Sequence, residues 1–183
     1  MRIIAGRNKG RVLAAPPGSA TRPTADRVRE ALFNILAHGA TELARAAVLD
    51  AFAGSGALGL EALSRGAARV TFLETDPQAA AVIEANLRKL GAGSQAVLLK
   101  ADATRPPRAA APATLVMMDP PYKSGLATLA LPALATAGWL ADETLVVVEV
   151  AAGEPLKSPL PGWAVTDERT YGAARLVFIR KQP

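Results

Sequence analysis

Short apolar runs alternate with helical segments through most of this chain, and this alternation constrains the fold more than any other feature. Helices are predicted at residues 58–65, 77–90 and 126–136, each long enough to carry the chain back across a sheet to start a parallel strand. The last two apolar runs are joined only by residues 169–174, too few for a crossover, so they must pair antiparallel. The predicted strands are Ala47–Phe52, Arg69–Glu74, Ala96–Lys100, Leu115–Met118, Leu145–Val150, Trp163–Glu168 and Arg175–Arg180. We therefore expect an α/β fold with a seven-stranded, mostly parallel sheet, an antiparallel terminal hairpin and helices on both faces.

The first 40 residues precede this sheet and predict a small additional unit. Two short strands flank the turn-forming residues 8–10, and Pro16, Pro17 and Gly18 then break the chain. Thr24 is predicted to cap a helix. Its apolar face contains Val28, Leu32, Ile35 and Leu36. The expected division is a hairpin and helix over residues 1–40 and the sheet domain over residues 41–183.

The charge of the chain is concentrated at its N-terminus. Residues 1–30 contain seven basic and two acidic side chains, which accounts for the whole formal net charge of +5. A basic extension on a neutral body favours binding to a polyanion such as nucleic acid, with a solubilising surface as the alternative.

Composition excludes several classes of protein. The chain has no Cys and a single His, His38, which argues against disulfides, thiolate catalysis and a His- or Cys-based metal site. It has neither an apolar stretch of about 20 residues nor the start of a signal peptide, so we expect a cytoplasmic protein without a membrane span or a metal, and a monomer by default.

A glycine-rich loop follows the first predicted strand of the sheet. Gly54, Gly56 and Gly59 form a G-x-G-x-x-G pattern between that strand and a helix, where a backbone can approach a ligand closely. Glu74 ends the next strand, 20 residues beyond Gly54, where a carboxylate can accept hydrogen bonds from ribose hydroxyls. The loop therefore predicts a site for an adenosine-containing cofactor.

Two acids indicate which cofactor this is. Asp50, expected to face the ligand crevice just before the loop, would repel a pyrophosphate but tolerate the cationic tail of S-adenosylmethionine. Asp102 follows the third strand and is a candidate neighbour of adenine, although a plain turn residue is equally consistent with its position. Asp76 is interpreted as the cap of the following helix, with Pro77 at its first position.

The segment Asp119-Pro120-Pro121-Tyr122, directly after the fourth strand, is the most specific motif of the chain. An exocyclic amine of a nucleobase is a poor nucleophile that needs fixed acceptors for its protons, and the Asp119 carboxylate and the Pro120 carbonyl can supply them. The two prolines restrict the backbone that carries these acceptors, and Tyr122 offers a face on which a base can stack. As positive charge develops on the amine, a carboxylate at Asp119 becomes more stabilising.

These motifs, together with RIIAGRNKGR and RPTADRVREALFNIL near the N-terminus, resemble the bacterial ribosomal small-subunit methyltransferase D family over nearly the whole chain. The resemblance implies a Rossmann-like class I fold and S-adenosylmethionine-dependent methylation of the exocyclic N2 of one guanine in 16S ribosomal RNA, free or within the small subunit. Carried over by position, the implied cofactor contacts are Asp50, Phe52, Gly54, Gly56, Glu74, Asp102 and Ala103. Asp119, Pro120, Pro121 and Tyr122 would hold the target amine. Candidates for contacting RNA or closing the site are Arg7, Lys9, Arg11, Arg22, Thr24 and Arg27.

Other functions remain open from the residues alone. An adenine N6 amine of DNA or RNA satisfies the same acceptor geometry as guanine N2, although only about 40 residues lie outside the catalytic sheet to recognise a DNA sequence. An NAD-dependent oxidoreductase would use a similar glycine loop, but the antiparallel terminal pair and Asp50 disfavour it. A non-catalytic RNA-binding module would leave the motif at residues 119–122 unexplained.

Overall fold

A seven-stranded sheet forms the centre of the computed structural model, which describes residues 1–16, 23–39, 43–156 and 160–183. The strands are β1 (Ala47–Ala51), β2 (Arg69–Leu73), β3 (Ala96–Leu99), β4 (Ala113–Met118), β5 (Leu140–Ala151), β6 (Trp163–Tyr171) and β7 (Ala174–Lys181). The helices are α1 (Pro23–His38), α2 (Ala57–Ser64), α3 (Pro77–Leu90) and α4 (Leu126–Thr136), with a short 3₁₀ turn at Gly93–Gln95. Across the sheet the strand order is β3-β2-β1-β4-β5-β7-β6.

The predicted topology is confirmed. Strands β1 to β5 pair in parallel, and β7 pairs antiparallel with both β5 and β6. The terminal hairpin is longer than expected, because β6 runs to Tyr171 and only Gly172 and Ala173 separate it from β7. The added residues Arg169 and Thr170 of this edge strand are polar and exposed, so they lack the apolar signal that the prediction used, and only Tyr171 packs partly against the core.

Helices cover both faces of the sheet, as predicted. Alternate strand residues point to opposite faces, so Val48 packs with the core under α1, α2 and α3, whereas Leu49 packs with the core under α4. In β4, Met117 and Met118 divide in the same way. The ends of the parallel strands between these layers are the expected place for a ligand. None of the described helices is long and apolar enough to span a membrane.

The N-terminal hairpin packs on the first of these cores. Arg2 and Val12 form an antiparallel bridge, and Ile3 and Leu13 are buried in the same cluster as α1 and α2. Gly6 approaches α2 so closely, with a φ of +82°, that a Cβ there would lie 1.9 Å from the carbonyl oxygen of Ser64. The prediction that Thr24 caps the helix is wrong, since α1 already begins at Pro23, a residue suited to the first turn. The division at residue 40 stays a prediction.

Candidate active site

A crevice of about 890 Å³ opens at the carboxyl ends of β1, β2, β4 and β5. Its walls come from the glycine loop, the segments after β2, β3 and β4, the start of α4, the β6–β7 turn and the first turns of α1. This is the position at which doubly wound sheets bind ligands, because the connections on the two sides of the central strands diverge there. The lining includes Phe52, Gly54, Glu74, Asp102, Ala103, Asp119, Pro120, Pro121, Tyr122 and Glu149.

The glycines of the loop have separate roles. Gly54 lines the crevice with a φ of +55°, and its N–H donates to Glu74 Oε2 at 2.7 Å. Gly56 directly precedes α2, has a φ of +77° and is buried. Its N–H donates to the carbonyl of Ala53. A Cβ at Gly59 would lie 2.3 Å from the ring of Phe72, so this glycine permits close packing of α2 on β2. The loop therefore shapes the crevice, while several of its N–H groups are satisfied within the chain.

Asp50 lies beneath the loop, and the prediction that it faces the crevice is wrong. It is fully buried in β1, and its Oδ2 accepts from Gly59 N at 2.9 Å, which fixes the start of α2. Its Oδ1 is buried and has no hydrogen-bond partner among the described residues. Burial, with a smaller contribution from the charge of Glu74, raises the pKa of Asp50 to about 7. Asp50 thus supports the glycine loop through its hydrogen bond with Gly59, and a positive charge nearby would stabilise its ionised form.

Two further acids line the side of the crevice formed by β2 and β3. Glu74 joins the glycine loop to the next helix, since it accepts from Gly54 N and, through Oε1, from Asp76 N at 2.8 Å. Asp102 accepts from both N and Oγ1 of Thr104, which lowers the pKa of this carboxyl. Carboxylate oxygens have several acceptor positions each, so both groups can still bind hydroxyl donors. The expected cap of α3 by Asp76 is confirmed.

Asp119 to Tyr122 lie on the opposite side, directly after β4. Pro120 is buried, whereas Asp119 has surface open to the crevice. Tyr122 is 42% exposed, and its hydroxyl donates to Glu149 Oε1 at 2.7 Å. The next residue is also held, because Lys123 N donates to Glu154 Oε2 at 2.8 Å. The four residues of the motif are therefore brought together on one wall of the crevice, with the ring of Tyr122 oriented by its hydroxyl.

Glu149 is a functional candidate that the sequence analysis missed. It is the one acid within the apolar run Leu145–Val150 of β5, and that break in the pattern was the available signal. Partial burial raises the pKa of Glu149, and its hydrogen bond from Tyr122 opposes this shift. Removal from bulk water within the crevice, and then the charges of Glu149 and Asp50, raise the pKa of Asp119 as well. This wall of the crevice therefore carries two neighbouring acidic side chains, Asp119 and Glu149.

The charge of the lining discriminates between ligands. Glu74, Asp102, Asp119 and Glu149 contribute carboxyl groups, and none of the described lining residues is Lys or Arg. Such a crevice favours a cationic ligand and repels a pyrophosphate. The described residues contain no group of His, Cys, Asp or Glu arranged to hold a metal ion.

The predicted RNA-contacting residues do not form one cluster. The guanidinium of Arg11 donates to Lys89 O at 2.6 Å, near the C-terminal end of α3, and that of Arg7 donates to the nearby Gln95. Helix α3 begins at the crevice and is about 21 Å long, so Arg7 and Arg11 lie near the opposite end of the sheet and cannot close the site. Lys9 is exposed in the turn between them.

Arg27 lies instead near the mouth of the crevice. It is exposed on α1 between Ala25 and Val28, which both line the crevice. Arg22 and the side chain of Thr24 fall outside the described part of the chain.

Comparison with known proteins shows where this architecture belongs. The family model described as Conserved hypothetical protein 95 matches residues 1–180. Ribosomal RNA small subunit methyltransferase D of Escherichia coli is 41% identical over 94% of this chain and 85% of its own length. The protein of the same name from Haemophilus influenzae is 39% identical over 94% of this chain and 89% of its own length. A solved structure of a candidate methyltransferase from Escherichia coli is 39% identical, covers 100% of this chain and 98% of its own, and superposes with a TM-score of 0.87.

The structural match, the strand order and the antiparallel end of the sheet establish the Rossmann-like class I methyltransferase fold. The named methyltransferase relatives show an enzyme with a cofactor of the S-adenosylmethionine type, which excludes the oxidoreductase alternative. With the family model covering nearly every residue and the curated relatives matching along most of their length, the chain belongs to the ribosomal RNA small subunit methyltransferase D family.

Proposed function

We propose that this enzyme uses S-adenosylmethionine to methylate the exocyclic N2 amine of a guanine in small-subunit ribosomal RNA. The observation that carries the proposal is the position of Asp119 and Pro120 on a crevice wall next to the oriented ring of Tyr122. The two named relatives act, by their names, on ribosomal RNA of the small subunit, which supports this substrate.

The acceptors at Asp119 and Pro120 would hold the amine. The Asp119 carboxylate and the Pro120 carbonyl each accept one N–H hydrogen, which directs the nitrogen lone pair into the crevice. The two prolines restrict this backbone, so little ordering remains to be done when the base arrives. Because the pKa of Asp119 is raised, its carboxylate is also a stronger base than an ordinary aspartate and can accept the proton that the amine loses.

The opposite wall would hold the cofactor. Glu74 would accept from ribose hydroxyls, Asp102 and Ala103 would flank adenine, and Phe52 and Gly54 would border the bound molecule, and all of these residues line the crevice. Asp50 and Gly56 would act indirectly, since both are buried and maintain the loop. S-adenosylmethionine, when bound, supplies an electrophilic methyl group on a sulfonium centre. The acidic lining of the crevice fits the positive charge of such a molecule.

RNA would reach this acidic crevice through a single displaced base. The target guanine must leave its stack so that its amine meets the acceptors, with Tyr122 as a stacking surface. Phosphates would be contacted outside the crevice, by Arg27 near its mouth and by Arg7, Lys9 and Arg11 at the far end of the molecule. We place this reaction in the bacterial cytoplasm and expect a monomer acting on 16S RNA in an assembling or assembled subunit.

A methyl-transfer assay tests the proposal. The full-length protein is incubated with tritiated S-adenosylmethionine and either unmodified small subunits or free 16S RNA, and the labelled nucleoside is identified by chromatography and mass spectrometry after digestion. We expect N2-methylguanosine at a single position. Labelling of adenine N6, or label in neither substrate, would contradict the proposal.

A further inference from the structure

Asp119 directly follows β4, and Glu149 lies near the end of the neighbouring strand β5. Met118 in β4 and Val148 in β5 are the last register partners of this pair of strands, and Asp119 and Glu149 directly follow them along the chain. Adjacent strands are about 4.8 Å apart, and both acids line the crevice. The wall therefore presents two carboxylates side by side, close enough to bind neighbouring atoms of one planar ligand.

Glu149 has one oxygen available for such a ligand. Its Oε1 accepts the hydroxyl hydrogen of Tyr122 at 2.7 Å, which restricts the orientation of the carboxylate. Its Oε2 makes no hydrogen bond to any residue in the described part of the chain, and the described lining supplies no Lys or Arg to neutralise it. The ionised form of the Glu149 carboxyl group only accepts hydrogen bonds, so the partner of this form must be a donor.

Guanine is the base that matches two neighbouring acceptors. Its N2 amine is adjacent to a protonated ring nitrogen, N1–H, so that edge offers donors to both carboxylates. In adenine and cytosine the ring nitrogen next to the exocyclic amine carries a lone pair, which would face the Glu149 carboxylate and repel it. A site that leaves a polar group unpaired or repelled discriminates strongly against the wrong ligand.

We infer that Glu149 is a specificity-determining residue that accepts a hydrogen bond from guanine N1–H while Asp119 holds the adjacent N2 amine. This inference rests on the proposed methylation of guanine N2 and supplies a reason within the chain for guanine over adenine. The motif at residues 119–122 does not supply that reason, because it contacts the amine alone.

A base analogue tests the inference without altering the protein. 2-Aminopurine retains the N2 amine but has a lone pair at N1, so substitution of the single target guanine in a small-subunit substrate removes the donor for Glu149. For the wild-type enzyme we expect kcat/KM to fall by roughly 10- to 100-fold. Methylation of 2-aminopurine at the rate of guanine would overturn the role of Glu149.

The Glu149→Gln variant then assigns the discrimination to this residue. A glutamine amide can donate to N1 of 2-aminopurine, so the ratio of guanine to 2-aminopurine kcat/KM should fall toward one. 2-Aminopurine also lacks O6, but comparing this ratio between the two enzymes cancels that difference. Glu84→Gln removes the same charge from an exposed position on α3, beside Lys100, and should keep the wild-type ratio.

The outcomes separate this inference from the proposed function. A smaller ratio in Glu149→Gln, with cofactor binding retained in calorimetry, supports the role of Glu149. An unchanged ratio overturns that role but leaves guanine N2 methylation intact. A wild-type product methylated at adenine N6 overturns both proposals.

Discussion

Two groups of carboxylates in this enzyme differ in burial and in how they are paired, since Glu61 is buried whereas Asp119 is exposed and Glu149 is half-buried. Glu61 on α2 is fully buried and accepts from Ile4 N at 2.8 Å, Ala5 N at 3.0 Å and Arg65 Nε at 2.7 Å. The buried guanidinium of Arg29 lies 4.0 Å away. Asp119 and Glu149 face a crevice whose described lining has no cation, and each has a raised pKa. The buried carboxylate of Glu61 is paired within the chain, and this pairing holds distant segments together. Asp119 and Glu149 have no cation beside them in the described lining, so this pair is available to bind a ligand.

The position of Glu61 explains how the N-terminal segment is attached to the catalytic domain. Its helix begins at the glycine loop, and Ser64 on the same helix accepts from Asn8 N and donates to Ala5 O. The cofactor loop and the N-terminal hairpin are thus connected through one short helix. The following substitutions test whether the two groups of carboxylates differ as this pairing indicates.

Glu61→Ala should give the largest effect on stability. It leaves Arg29 and Arg65 without their shared buried partner, and breaking a buried pair costs about 3–5 kcal/mol. The free energy of unfolding in urea measures this loss. Glu84→Ala, at an exposed position on α3, should change it by less than about 0.5 kcal/mol. A decrease of less than about 1 kcal/mol in the free energy of unfolding of Glu61→Ala would show that the contacts of Glu61 do not hold the N-terminal hairpin in place.

Asp119→Ala should reduce activity without reducing stability. Removing one preorganised transition-state partner lowers kcat by about 10²- to 10³-fold. Cofactor binding should survive, because the groups that we propose to hold ribose and adenine are on the other wall. The experiment compares single-turnover methyl transfer with calorimetric titration of S-adenosylmethionine. Full activity in this variant would remove Asp119 from the mechanism.

Asp50→Asn should change the pH dependence of stability. Because burial raises the pKa of Asp50 to about 7 in the folded state, folded protein binds more protons than unfolded protein between about pH 4 and pH 7. Asp50 therefore contributes stability at low pH that is lost as the pH rises through 7. Relative to wild type, the variant should gain about 2–3 kcal/mol between pH 5 and pH 8 in urea unfolding. A constant difference across this range would contradict the raised pKa.

The sequence predicted the sheet well because its strands are apolar runs separated by helices of adequate length. It also identified the motif at residues 119–122, whose prolines and aromatic residue are distinctive locally. Three features depended on contacts between distant residues and could not be read from the chain. These are the burial of Asp50 beneath Gly59, the alignment of Glu149 with Asp119 across two strands, and the satisfaction of Glu61 by the N-terminal backbone.

The arginines that we propose to contact RNA also fall into two groups, which differ in their distance from the crevice. The charge pattern of the sequence did not separate Arg7 and Arg11 from Arg27. Their separation depends on how the N-terminal hairpin packs, because its turn lies beside Lys89 near the C-terminal end of α3. The structure divides these residues into a distal pair and one near the crevice, so their substitution should affect different kinetic constants.

The double variant Arg7→Gln/Arg11→Gln should show the smallest effect, confined to RNA binding. If each arginine neutralises one phosphate, the slope of log affinity against log salt becomes shallower by about 1.5, while kcat at saturating RNA stays unchanged because the crevice lies about 20 Å away. The control Arg169→Gln/Lys181→Gln removes the same charge at the β6–β7 edge and should leave the slope nearly unaltered. Equal slopes for both variants would make Arg7 and Arg11 solubilising residues. A fall in kcat for the distal pair would mean that RNA bound there also controls how the base enters the crevice.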